Sequence, residues 1–170
     1  MSIKIKNSYK KMKGLKLKMF FYSFFCFAIS KELKLSKDAA DGENCEKGCN
    51  YNTIKTKLKN NDKIIIPYGI IEGDDANKFM EIMTSASSLT FSIIGKCTLV
   101  SFAKTNYSSV PHAILESSRI EIINISFSGL RRPFIKAVST NFFMRNVTFL
   151  DCTTKNCALI TVESGELNGN

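Results

Sequence analysis

His112-Ala-Ile-Leu-Glu-Ser-Ser-Arg-Ile-Glu-Ile-Ile-Asn-Ile-Ser-Phe127 lies over Phe134-Ile-Lys-Ala-Val-Ser-Thr-Asn-Phe-Phe-Met-Arg-Asn-Val-Thr-Phe149 at a spacing of 22 residues. Ser117-Ser118 falls on Ser139-Thr140, Asn124 on Asn146, and Ile-Ser-Phe on Val-Thr-Phe. A third copy starts at Ala158-Leu-Ile-Thr-Val-Glu-Ser-Gly-Glu-Leu167, displaced by 25 because the loop before it is longer. Self-similar β-type segments at a fixed period predict stacked strands, each covering the next one's apolar face.

Alternation assigns the faces, because successive side chains of a strand point to opposite sides. Ala113, Ile135 and Ile160 share one column, and Leu115, Ala137 and Val162 the next. Lys136 and Thr161 lie between them, so that side faces out and the two columns fill the interior. Ile120/Phe142/Leu167, Ile122/Met144, Ile125/Val147 and Phe127/Phe149 continue the inner set.

The chain has 170 residues, 44% apolar and 23% charged, which suits one globular domain. Its formal charge of +9 is not evenly spread. Residues 1–18 carry seven lysines and no acid, whereas residues 31–170 carry 17 basic and 15 acidic groups. A nucleic-acid reader needs its basic patch on the fold, so nucleic acid is not an expected partner. The lysines precede Met19-Phe-Phe-Tyr-Ser-Phe-Phe-Cys-Phe-Ala-Ile-Ser30, which is too short to span a bilayer comfortably. With Ala28 and Ser30 as a small-x-small pattern, residues 1–30 read as a secretory signal peptide. An uncleaved signal-anchor and a core strand are the rival readings.

Five cysteines follow the leader. Cys45–Cys49 and Cys152–Cys157 are each spaced to close a small loop, in keeping with an oxidising compartment. Cys97, in Cys-Thr-Leu-Val-Ser-Phe102, reads as a buried free thiol. With a single His, no metal site or cofactor is expected. Residues 31–50 are polar and turn-rich and read as a loose lead-in. Tyr51, Ile54 and Leu58 recur at helical spacing in a short amphipathic helix over 51–60. Lys63–Ile66 is a β-branched run, Pro67-Tyr-Gly69 a break, and Glu72-Gly-Asp-Asp75 a loop. Lys78–Met83 fits either strand or helix.

Thr53-Ile-Lys-Thr-Lys-Leu, followed by Asn-Asp-Lys-Ile-Ile-Ile-Pro-Tyr-Gly69, resembles the opening of right-handed parallel β-helix proteins of the pectate-lyase-like superfamily. Leu89-Thr-Phe-Ser-Ile-Ile-Gly95 and Cys97–Phe102 resemble its second coil, and the copies above supply later ones. The resemblance spans residues 51–170. It implies an all-β solenoid of four to five coils, a short N-terminal capping helix, and an uncapped C-terminal end. An open end of that kind invites edge-to-edge self-association unless further coils follow. His112-Ala-Ile and Cys157-Ala-Leu-Ile, with Leu167-Asn-Gly-Asn170, are similar to repeats of polymorphic outer-membrane-protein adhesins, although the paired glycines are absent here.

Asn106-Tyr-Ser, Asn124-Ile-Ser and Asn146-Val-Thr are glycosylation sequons in a secreted chain. Asn124 and Asn146 sit one repeat apart at a bend, where Asn tolerates the left-handed conformation. The family's asparagine ladders imply that these two stack and are buried, leaving Asn106 as the expected acceptor. Asp74-Asp75 is a candidate carboxylate pair, read here as a solvated turn. Arg131-Arg132 can grip an acidic sugar or anionic surface, but reads as an exposed loop. His112 aligns with Phe134 and Cys157 and reads as a packing position. Glu116, Glu121 and Asp151 occupy unmatched positions, so alternation builds no acidic cluster and no catalytic residues are expected.

The expected function is a secreted or cell-surface scaffold for binding or adhesion, toward carbohydrate or another surface ligand. The alternatives are a carbohydrate-active enzyme of polysaccharide lyase or glycoside hydrolase type, or its N-terminal fragment, and a truncated product without independent function.

Overall fold

A computed structural model describes residues 30–103 and 106–169. The signal-peptide reading of residues 1–30 lies outside these, Ser30 excepted. Strands dominate, and every pairing among the described strands is parallel.

Residues 31–50 are not a loose lead-in. β1 (Glu32–Lys34) pairs with β2 (Lys63–Ile66), burying Leu33 against the apolar centre. Leu35 bridges to Cys49, and a Cys45–Cys49 disulfide closes the loop that follows. Lys34 N–H donates to Cys45 O, and Cys49 N–H to Lys34 O. The polar side chains of this segment face water, while its backbone and two leucines are bound to the sheet.

α1 (Tyr51–Lys57) starts at Asn50, whose side chain accepts the Thr53 N–H at 2.9 Å. Tyr51 and Ile54 are its buried face. β3 (Gly69–Glu72) runs into a helix where the sequence predicts a loop. Gly73 takes φ 60°, and residues from Asp74 onward form α2 (Asp74–Ser85), not a turn. Two acids in the first turn suit the positive end of a helix dipole. Ala76, Phe79, Met80 and Met83 recur at helical spacing and are all buried. That settles Lys78–Met83 as helix.

β4 (Thr90–Ser101), β6 (Arg119–Ser128), β8 (Asn141–Arg145) and β11 (Glu166–Gly169) are consecutive neighbours in one sheet, after β1 and β2. β3 joins β4, and β9 (Thr148–Leu150) joins β6. β5 (Ala113–Glu116), β7 (Ile135–Val138) and β10 (Ile160–Glu163) form a second sheet in that order. The register follows the repeat. Ala113 pairs with Ile135, Leu115 with Ala137, Ile120 with Phe142, and Phe127 with Phe149. Ile160 pairs with Ile135 and Leu167 with Phe142, at the wider spacing.

Ala113, Leu115, Ile120, Ile122, Ile125, Phe127, Ile135, Ala137 and Phe142 are buried, as alternation predicts. In the last repeat Leu167 is 47% exposed, against 0% for Phe142, because a strand covers it on one side only.

Two columns of left-handed residues turn the chain. Ser88, Ser117, Ser139 and Ser164 form one, and the first three donate their N–H to Glu116, Val138 and Glu163 respectively. Cys97, Asn124 and Asn146 form the other. The register between β4 and β6 slips between Ile94 and Thr98, so the Gly95–Cys97 bulge stands opposite Asn124. That bulge turns Cys97 outward, and the thiol is exposed and free, not buried.

Inside the first bend, Ser118 N–H donates to Thr140 Oγ1 at 3.2 Å, and the Thr140 hydroxyl donates to Val138 O. The Ser118 hydroxyl has Glu116 O and Ala86 O as acceptors. These buried hydroxyls are therefore satisfied.

Candidate functional site

A cleft of about 370 Å³ opens where several connections meet. It is lined by Gly73, Asp74 and Asn77 from the start of α2, and by Phe102 and Ala103 after β4. Asn106 and Ser108, then His112 before β5 and Arg132 before β7, complete it. Asp74 and Asn77 are three apart on a helix and so share a face.

The far wall is held by backbone bonds. Ser108 N–H donates to Arg131 O and His112 N–H to Pro133 O, tying the two loops together. The His112 ring lies 4.3 Å from the Phe102 ring, centroid to centroid. Arg132 donates to His112 Nδ1 at 2.9 Å. A guanidinium has no acceptor to offer, so Nδ1 accepts and the ring proton resides on Nε2. Burial first, and the Arg132 charge second, lower the His112 pKa from 6.5 to about 4. His112 is a packing residue, as its alignment with Phe134 suggests, and it also presents a donor at the cleft.

That shift has a measurable consequence. The folded pKa lies below the unfolded one, so the unfolded chain takes up more protons between pH 6.5 and about 4. Stability from this group is complete above pH 6.5 and is lost as pH falls toward 4. Urea unfolding of the chain and of His112→Gln across that range should show a steeper acid loss in the parent. Identical slopes would contradict the assignment.

Among the described residues, neither Asp74 nor Arg132 has an ion-pair partner, unlike Arg131, which pairs with Asp151 at 3.1 Å. Arg131-Arg132 is thus not simply an exposed loop, because both side chains are half-buried and differently engaged. Asp75 pairs with Lys78, which draws it away from acting with Asp74. Most glycoside hydrolases use two opposed carboxylates, and Asp74 is the one carboxylate among the described lining residues. Among the described residues no three His, Cys, Asp or Glu side chains converge to hold a metal.

The remaining expected sites lie elsewhere. Asn146 Nδ2 donates to Asn124 Oδ1 at 2.9 Å, so these two do pair across the repeat. They are exposed, not buried as an interior ladder requires, because the left-handed bend turns their side chains outward. Asn106 is exposed too, but on the cleft. Cys152 and Cys157 are free thiols, not a disulfide. Cys152 Sγ points at Leu150 O, whereas Cys157 Sγ points at Lys155 O. Burial raises the Cys152 pKa. Glu121 pairs with Arg145, Glu116 faces solvent, and Asp151 is spent on Arg131, so the three remain apart in role. Asn77, Phe102, Ala103 and Ser108 were not legible as site residues. Only the helix register of 74–85 would have placed Asn77 beside Asp74.

Against known proteins, the chain matches no family model, no curated sequence and no solved structure.

Proposed function

We propose that this chain is a right-handed parallel β-helix serving as a secreted or cell-surface binding scaffold, which holds a polar ligand in the cleft and does no chemistry on it. The observation that carries the reading is convergence. Asp74 and Asn77 from α2, Asn106, His112 and Arg132 come from four separate stretches of the chain, and they meet with donors and acceptors still unspent. Parallel strands in repeat register support the β-helix, since stacked repeats bring successive connections together on one side. The basic-then-apolar leader and the Cys45–Cys49 disulfide support secretion. A lone carboxylate favours holding a ligand over cleaving it.

The test is attachment. Fluorescently labelled chain should bind cells saturably, and Asn77→Ala combined with Arg132→Gln should weaken binding about tenfold or more, roughly 1.4 kcal/mol. Attachment unaffected by those changes would sink the cleft as the binding site. Turnover of an acidic polysaccharide, abolished by Asp74→Ala, would replace the scaffold with the carbohydrate-active enzyme.

A further inference from the structure

We infer that the cleft selects a small zwitterion, an α-amino acid or short peptide whose carboxylate meets Arg132 and whose ammonium meets Asp74. This deepens the scaffold reading and rests on it.

Two charges on the cleft wall are unmet. Arg132 gives one N–H to His112 and has no carboxylate partner among the described residues. Asp74 likewise has no cation among them. Yet both line one cleft, and its volume of about 370 Å³ is at the small end of the usual range for small-molecule sites. A wholly anionic ligand would satisfy Arg132 and be repelled by Asp74. A wholly cationic one would do the reverse. A ligand with one charge of each sign satisfies both, which is the electrostatic complementarity that confers specificity.

The other lining groups fit the same ligand. His112 carries its proton on Nε2 and is neutral above about pH 4, so it adds a donor beside Arg132 without adding a charge. Asn77, Asn106 and Ser108 supply donors and acceptors for a peptide group between the two charged ends.

The experiment is titration calorimetry on the full chain with three probes. They are glycylglycine, its N-acetyl derivative lacking the ammonium, and its amide lacking the carboxylate. Glycylglycine should bind, and each blocked form should bind about tenfold more weakly or worse. Arg132→Gln should erase the difference between glycylglycine and its amide while preserving the difference from the acetyl form. Asp74→Asn should do the opposite. Both side chains reach solvent, so circular dichroism can confirm that the variants fold, and Arg132→Lys should retain part of the carboxylate preference. Glycine alone in place of the dipeptide distinguishes an amino acid from a peptide as the ligand. Equal binding of all three probes, no binding of glycylglycine, or preferences that survive both substitutions would overturn the inference. So would glucuronate binding more tightly than the dipeptide with no effect of Asp74→Asn. If cells are still bound through Asn77 and Arg132 while the dipeptide is ignored, the scaffold stands and only the ligand class falls.

Discussion

Phe127→Ala will lower the unfolding free energy by about 3–5 kcal/mol. The ring is fully buried and lies at the centre of an aromatic cluster. Its centroid is 4.4 Å from Phe134, 5.6 Å from Phe149 and 6.2 Å from Phe79. These partners come from α2, the chain just before β7, and β9, so the loss reaches both sheets and the helix at once. Domains of this size are typically stable by about 5–15 kcal/mol, so such a loss removes a large share of the total. Phe143→Ala is the matched control. Phe143 points outward on β8, with the Arg119 guanidinium 4.6 Å from its ring. Its removal should cost about 1 kcal/mol, the scale of an exposed cation–π contact. Urea unfolding of both variants measures the alternation directly, because neighbouring strands carry one ring in and one ring out. Equal losses would mean that the faces are wrongly assigned.

Gly129→Ala should cost about 3 kcal/mol, from two causes that add. Gly129 holds φ +75°, where a side chain is disfavoured, and a Cβ built there would collide with the Phe102 carbonyl oxygen. The obstacle is backbone, so no rotamer change relieves it. Gly42→Ala separates the causes. Gly42 has φ +82° with nothing within 4 Å of the added carbon, and should lose only about 1 kcal/mol. The difference between the two is the steric part. It also bears on the cleft, because Phe102 carries the His112 ring and lines the same space. Gly129→Ala should therefore weaken ligand binding even where the chain remains folded. Thermal unfolding and cell attachment of the variant measure the two effects separately.

The strands of the repeats were legible because burial imposes a period on them. Ile120, Phe142 and Leu167 had to occupy one column, and they do. The bends were legible at Asn124 and Asn146, since few residues other than Gly accept positive φ readily. The side to which those asparagines point was not legible, because the same φ serves an inward or an outward turn. The start of α2 is not legible because Gly-Asp-Asp is equally a turn and a helix opening, and its buried face lies beyond the acids. The lead-in hides its structure for a related reason. Its composition is polar, yet two leucines and a row of backbone hydrogen bonds hold it to β2. Cys97 lies in an apolar run, and only the bulge in pairing with β6 exposes it.

The cleft was the least legible feature. Its residues come from connections, and their placement depends on how the strands stack, which no period within a connection records. Arg132 and His112 were each visible as unusual residues, but not their 2.9 Å contact. Asp74 was visible as half of a carboxylate pair, whereas Lys78 takes Asp75 and leaves Asp74 to the cleft.

Nuclear Overhauser contacts in the full chain report whether the repeats stack. Stacked coils give interstrand cross-peaks of parallel type between Ile120 and Phe142 and between Phe142 and Leu167, with ring contacts between Phe127 and Phe149. Close α-proton pairs of antiparallel type, or cross-peaks that ignore the 22- and 25-residue spacings, would contradict the stacking.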